Sequence, residues 1–271
     1  MRFQDKDKTY LFEVPMLYLA AKLAAFFNLP WVQRWGNKYP KAFKFLVRRF
    51  DMQDFLGLPL TLLLLVIFAN FSILNELAEN VVNSASMKAV DRTVTLFLYK
   101  RRTVFLSQLL YSFTQLCSQY GVIAITFLSG LFLLFKRKGF YVVALLLSVL
   151  GSGISVSLLK LYFHRERPLN VSYMPEASFS FPSGHATAAM ALEGILFYFL
   201  AIEARSKREQ TVWLIAGLLF ILAIGFSRIY LGVHFLTDVL GGYLVGILWV
   251  LVSIGIMEFL ALRKAREKNN L

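Results

Sequence analysis

Apolar residues fall in long blocks along this chain, separated by short polar breaks. Blocks of about 20 residues or more, enough to cross a bilayer as a helix, lie at 56–78, within 104–135, and at 140–161, 185–204, 212–228 and 234–262. Six blocks predict six transmembrane helices. The stretch 104–135 is longer than one crossing requires, so its first turns are expected to project beyond the hydrocarbon. In the polar connection 79–102, which carries Asn80, Asn83, Ser84 and Ser86, residues 91–99 read as a short amphipathic helix. Gly151, Ser152, Gly153, Ser155 and Ser157 give the third block a face of small residues that lets a neighbouring helix come close.

Ahead of the first block, residues 10–29 are apolar but broken by Glu13, Pro15 and Lys22 and bounded by Pro30. This pattern predicts an amphipathic helix lying on the membrane surface. It is not that of a cleaved secretory signal, because the basic stretch continues well beyond it. Residues 41–49 interleave cations with Phe43, Phe45 and Leu46, which suits the headgroup layer. The expected fold class is therefore all-α, a polytopic membrane protein. Six transmembrane helices in a bundle (56–262) follow an N-terminal interfacial helical segment (1–55), and a basic tail (263–271) closes the chain.

Composition sharpens this picture. Hydrophobic residues make up 58% and charged residues 17%, which excludes an ordinary soluble domain. The net charge of +13 could suggest nucleic acid, but the cations border apolar blocks and no soluble domain could present a basic face. With six crossings, 20 of the 29 Lys and Arg fall on the side holding both termini and nine on the other. The positive-inside bias then puts both termini in the cytoplasm of a plasma (inner) membrane, and the polar clusters described next on its outer or periplasmic face. The single cysteine, Cys117, allows no intrachain disulfide.

Three polar clusters interrupt the apolar background between 160 and 238. The first holds Lys160 and Arg167-Pro168, the second is Pro182-Ser183-Gly184-His185, and the third runs from Ser227-Arg228 through His234 to Asp238. Ionisable groups beside or inside membrane spans are costly and so are functional candidates. The six-span topology brings all three clusters to one membrane face. Arg167 and Arg228 can grip phosphate oxygens bidentately, while Lys160 adds a point charge. Ser183 offers a hydroxyl, and Gly184 lets backbone N–H groups approach an anion at a helix N-terminus. His234 and Asp238, four residues apart, are expected on one face at the start of the sixth span, where the carboxylate can orient the imidazole for nucleophilic attack. His185 is left to protonate the leaving oxygen. Neither a carboxylate cluster nor a Cys/His set calls for a metal, and no cofactor is expected. His164, Arg165 and Glu166 read as headgroup or solvent contacts. Glu193 stands alone within the fourth span.

Taken together, these residues resemble the three-part signature of the type-2 phosphatidic acid phosphatase superfamily. The match fills every signature position in order, covers residues 160–238 with its motifs, and extends through the six-span layout to 56–262. The resemblance implies a helical membrane bundle and a phosphohistidine intermediate formed without metal. It assigns His234 as nucleophile, Asp238 as its partner and His185 as general acid. Lys160, Arg167, Ser183, Gly184 and Arg228 would form the phosphate pocket.

The expected function is removal of a terminal phosphate from a membrane lipid. Undecaprenyl diphosphate ranks first on three grounds. An outward-facing site would meet it where envelope synthesis releases it. Arg165 and Lys100-Arg101-Arg102 could supply cations for a second phosphate, and a diphosphate has a better leaving group than a monoester. Phosphatidylglycerophosphate, phosphatidic acid and lipid A phosphates are the alternatives. A phosphotransferase using the same phosphohistidine and a non-catalytic lipid-binding or transport protein are the other readings. The bilayer and the lipid phosphate are the expected partners, with no nucleic acid.

Overall fold

The computed structural model describes residues 22, 25–49 and 57–269, and every element in them is helical. Most of the expected surface helix at 10–29 lies outside the described residues. Contacts divide the chain into a smaller unit, whose described parts fall within residues 22–66 and 258–269, and a larger unit, Ile67–Met257. In the smaller unit, α1 (Pro30–Lys38) and α2 (Pro40–Arg49) each begin on proline. Proline costs little there, because its missing N–H would have no partner in the first turn. Trp31, Trp35 and Tyr39 on α1 and the link after it remain exposed.

The larger unit is built from α3 (Leu58–Asn83, from residue 67 onward), α4 (Ala85–Tyr99), α5 (Val104–Thr114), α6 (Gln119–Phe135), α7 (Gly139–Phe163), α8 (Gly184–Ile202), α9 (Lys207–Tyr230) and α10 (Leu236–Asn269, as far as residue 257). Hydroxyl N-caps start four of these helices. Ser84, Thr103, Ser118 and Ser206 accept from the backbone N–H of Met87, Leu106, Gly121 and Glu209, each satisfying one orphan donor of the first turn.

Five helices among the described residues are long and apolar enough to cross a membrane, or six if the bent pair α5–α6 is one span. The stretch 104–135 is not one continuous helix: the chain passes through a 3₁₀ turn at Gln115–Cys117 and bends by 49°. Two further boundaries differ. α3 continues through the polar residues up to Asn83, and α10 runs on through the basic tail to Asn269.

Small residues do bring helices together, as the pattern of 151–157 predicts, but selectively. A side chain at Gly151 would collide with the ring of Trp249, whose Nε1 donates to Ser155 Oγ at 2.9 Å. Ser148 Oγ donates across to the Ala191 carbonyl at 2.8 Å. Gly153, by contrast, faces open space. Ala186 on α8, Ile229 on α9 and Val239 on α10 share one buried cluster, so the three helices that carry the second and third polar clusters are packed directly against one another. On the outer faces, Leu65, Phe68, Leu150 and Leu219 stay exposed, as a lipid-facing surface requires.

Candidate active site

The first cluster is delivered by the end of α7. The helix stops because His164 adopts a left-handed conformation (φ 46°), with its N–H still donating to the Lys160 carbonyl. Lys160, on the last turn, donates from Nζ to Ser178 Oγ at 2.8 Å. Arg167 then reaches across the site. Its Nε donates to the Ser178 carbonyl at 2.7 Å, its Nη1 donates to the Val233 carbonyl at 2.7 Å, and Nη1 stands 3.2 Å from His234 Nε2.

The second cluster opens α8. Ser183 N–H donates to the Asp238 carbonyl at 2.9 Å, which ties this turn to the start of α10. Ser183 Oγ is buried with no partner among the described residues. A Cβ built on Gly184 would meet nothing within 4 Å, so the backbone there faces open room. His185, one residue into the helix, has Arg228, His234, Lys160 and Arg167 as its charged surroundings.

The third cluster spans the turn from α9 to α10. Arg228 is fully buried, donates from Nη2 to Glu176 Oε1 at 2.7 Å, and has no partner among the described residues for Nε or Nη1. The turn is possible because Gly232 takes a positive φ of 68°, where a side chain would also run into the Val171 carbonyl. His234 lies in this turn, ahead of α10, and Asp238 lies in the first turn of the helix. The expectation of a shared helical face is therefore corrected, although the pairing survives. Asp238 Oδ2 stands 3.4 Å from His234 Nδ1 because it also reaches back to the Phe235 N–H at 2.8 Å, which curls the turn around the carboxylate. Ser180 Oγ donates to the same oxygen.

Seven of the eight residues singled out in the sequence thus stand in one hydrogen-bonded or electrostatic neighbourhood, and the eighth, Gly184, lies in sequence between two of them, Ser183 and His185. Burial pushes the His234 imidazole down to about 4, with Asp238 opposing it, so the ring is neutral at neutral pH. Burial also lowers Arg167, while Glu176 and Asp238 support its charge.

Arg165 is the clearest correction. It is no solvated cation: Nη1 donates to Asp238 Oδ1 at 2.6 Å and Nη2 to Asp91 Oδ2 at 2.7 Å. Arg102 is committed as well, donating to the Val171 and Leu231 carbonyls at 2.8 and 3.1 Å. Sequence reasoning missed Asp91, Glu176, Ser178, Ser180 and Thr237.

The fold and site define a multi-pass helical membrane protein with buried cations and a His–Asp pair at one end of its bundle. The PAP2 superfamily profile matches residues 141–261. Phosphatidylglycerophosphatase B of Bacillus subtilis (strain 168) is 30% identical over 189 residues, an alignment covering 69% of this chain and 92% of that protein. Lipid A 4'-phosphatase of Porphyromonas gingivalis is 33% identical over 157 residues, covering 52% and 63%. The crystal structure of a transmembrane PAP2-type phosphatidylglycerolphosphate phosphatase from Bacillus subtilis superposes with a TM-score of 0.66 at 27% identity, over 70% of this chain and 94% of that one. The crystal structure of Aquifex aeolicus LpxE gives 0.50 at 27% identity, over 60% and 94%. The chain belongs to the PAP2 superfamily, and it is a membrane-embedded phosphatase of that superfamily.

Proposed function

We propose that this protein hydrolyses the terminal phosphate of a membrane lipid phosphate monoester, of the kind phosphatidylglycerophosphate presents, through a phosphohistidine on His234. The observation that carries the reading is that buried groups of the second and third clusters are left over without partners. Arg228 Nε and Nη1 and Ser183 Oγ lack partners among the described residues, and the backbone of Gly184, next to Ser183, faces open room. Buried donors without partners are costly. A tetrahedral anion seated at the N-terminus of α8 would satisfy them together.

With His234 Nδ1 toward Asp238, Nε2 is the nitrogen left to attack, once Arg167 Nη1, 3.2 Å away, turns to the phosphate. Attack forms a P–N bond and breaks the bond to the lipid oxygen, which takes its proton from His185. Water then cleaves the P–N bond, giving its proton to His185 and restoring both histidines. Arg167, Arg228 and Lys160 offset the charge on the equatorial oxygens throughout.

The apolar part of a lipid has room beside Gly184. A cavity of about 120 Å³ begins at Gly184 and Thr187 and is lined by Val149, Val156, Ala188 and Leu192, an apolar slot for the first methylenes next to the headgroup. One of the three grounds for ranking undecaprenyl diphosphate first, extra cations for a second phosphate, is weakened, because Arg165 and Arg102 are already bound elsewhere. On charge alone a monoester is then the better fit. The monoester in the names of the Bacillus subtilis relative and of the Bacillus subtilis crystal structure, phosphatidylglycerophosphate, supports the same choice.

The test is phosphate release by the purified protein from phosphatidylglycerophosphate, phosphatidic acid, lipid A and undecaprenyl diphosphate, side by side in one detergent. Release should be fastest from a monoester, and His234→Ala should lose at least about a thousandfold in kcat. A preference for the diphosphate would restore the original order. A folded His234→Ala protein with near-normal turnover would remove the covalent route.

A further inference from the structure

Asp91 lies on α4, outside all three clusters, and is buried to 1% exposure. Its Oδ2 accepts from Arg165 Nη2 at 2.7 Å and from Thr237 Oγ1, and its Oδ1 accepts from Thr237 N–H at 3.0 Å. Arg165 in turn donates from Nη1 to Thr237 Oγ1 at 2.7 Å and to Asp238 Oδ1 at 2.6 Å. The guanidinium is further held over the ring of Phe235 at 4.5 Å.

Two physical consequences follow from this arrangement. The first is geometric. Phe235, in the N-cap position of α10, has no side-chain acceptor to offer the first-turn N–H groups. Asp91 supplies one from another helix, at the residue just before Asp238. With Oδ1 of Asp238 pinned by Arg165 and Oδ2 by the Phe235 N–H and Ser180, the carboxylate cannot rotate away from His234 Nδ1. The second consequence is electrostatic. Arg165 alone would neutralise Asp238 and blunt its support for a positive imidazole. Asp91 shares that cation, so the trio keeps one net negative charge.

Resting on His234 as the nucleophile, we infer that Asp91 is a positioning residue of the reaction, acting through Arg165 and Thr237 to fix the orientation and preserve the charge of Asp238. The seating of α4 does not depend on it, because Val94 and Leu98 pack onto the buried Ala186, Ile229 and Val239. Asp91→Asn keeps the size of the side chain and removes only its charge and one acceptor.

The test uses the full chain in detergent, with its three histidines isotopically labelled and titrated by NMR. His234 is faced by Asp238 of α10, Arg167 after α7, His185 of α8 and Arg228 of α9, and only the charge behind Asp238 differs between the variants. Asp91→Asn leaves Arg165 wholly on Asp238, so the His234 midpoint should fall by ~1 unit. Arg165→Gln removes the cation and leaves two carboxylates, so the midpoint should rise. In phosphate release, Asp91→Asn should lower kcat by about tenfold or more with KM little changed, because substrate binding is untouched. Midpoints that match wild type in both variants, or shift in the same direction, would overturn the inference. A wild-type protein that releases phosphate from no lipid would defeat the phosphatase reading instead, while the midpoints would still decide the role of Asp91.

Discussion

Arg228 is fully buried, yet one of its three nitrogens is already bound to Glu176, whose other oxygen lies 3.7 Å from Arg167 Nη2. A carboxylate thus sits across the two guanidinium groups that would bind phosphate. It helps hold two buried cations in the absence of an anion, since unpaired buried charge is costly. An arriving phosphate must share these donors with it or displace it, against like-charge repulsion. Glu176→Gln should therefore strengthen the binding of inorganic phosphate, with its competitive inhibition constant falling by about tenfold. Release of p-nitrophenol from its phosphate ester gives that constant directly, and a rise would mean that Glu176 holds the pocket in shape instead. Glu176 also shows what the sequence conceals at this scale. Lys160, Arg167, His185, Arg228, His234 and Asp238 were legible because charge beside apolar spans stands out. Glu176, Ser178 and Asp91 lie in polar connections, where acids and serines need no special reason. Their partners are tertiary: 52 residues separate Glu176 from Arg228, and 146 separate Asp91 from Thr237.

The turn between α9 and α10 decides where His234 stands. The Leu231 carbonyl accepts from both the Tyr173 N–H and Arg102, and Arg102 also holds the Val171 carbonyl, so three distant segments meet there. Gly232 packs into this junction with a φ of 68°. Gly232→Ala adds about 1–2 kcal/mol of backbone strain and pushes a methyl toward the Val171 carbonyl. Because His234 is two residues on, kcat should fall on the order of a hundredfold, while the thermal unfolding midpoint drops only modestly. Unchanged kcat in the folded variant would mean that the turn tolerates the displacement. Helix positions were largely legible from apolar run length, whereas breaks within them were not. The bend at Gln115–Cys117 and the π-helical turn at Ala189–Glu193 interrupt stretches that stay apolar throughout. Hydropathy cannot register a change in hydrogen-bond pitch.

At the scale of the whole molecule, the larger unit has two chemically distinct ends. The two basic turns meet at one end, where Lys138 pairs with Glu203 at 3.1 Å and Tyr141 OH donates to Glu203 at 2.8 Å. From that end α7 runs 25 residues, about 37 Å at 1.5 Å per residue, before delivering Lys160 and the first polar cluster. That length exceeds the roughly 30 Å hydrocarbon core, so the basic turns and the site belong to opposite faces of the membrane. The positive-inside bias, applied to the excess of Lys and Arg on the side of the turns, predicts those turns in the cytoplasm and the site outside. The orientation can be read with single cysteines in a Cys117→Ser background. Arg137→Cys and Arg208→Cys, at exposed positions of the two turns, should be protected from an impermeant thiol reagent in intact cells. Leu169→Cys, in the loop at the site end and 75% exposed, should be labelled. Permeabilised cells should label all three. The reverse pattern in intact cells would place the site in the cytoplasm, where it would meet lipid phosphates as they are made, not after they have crossed the membrane.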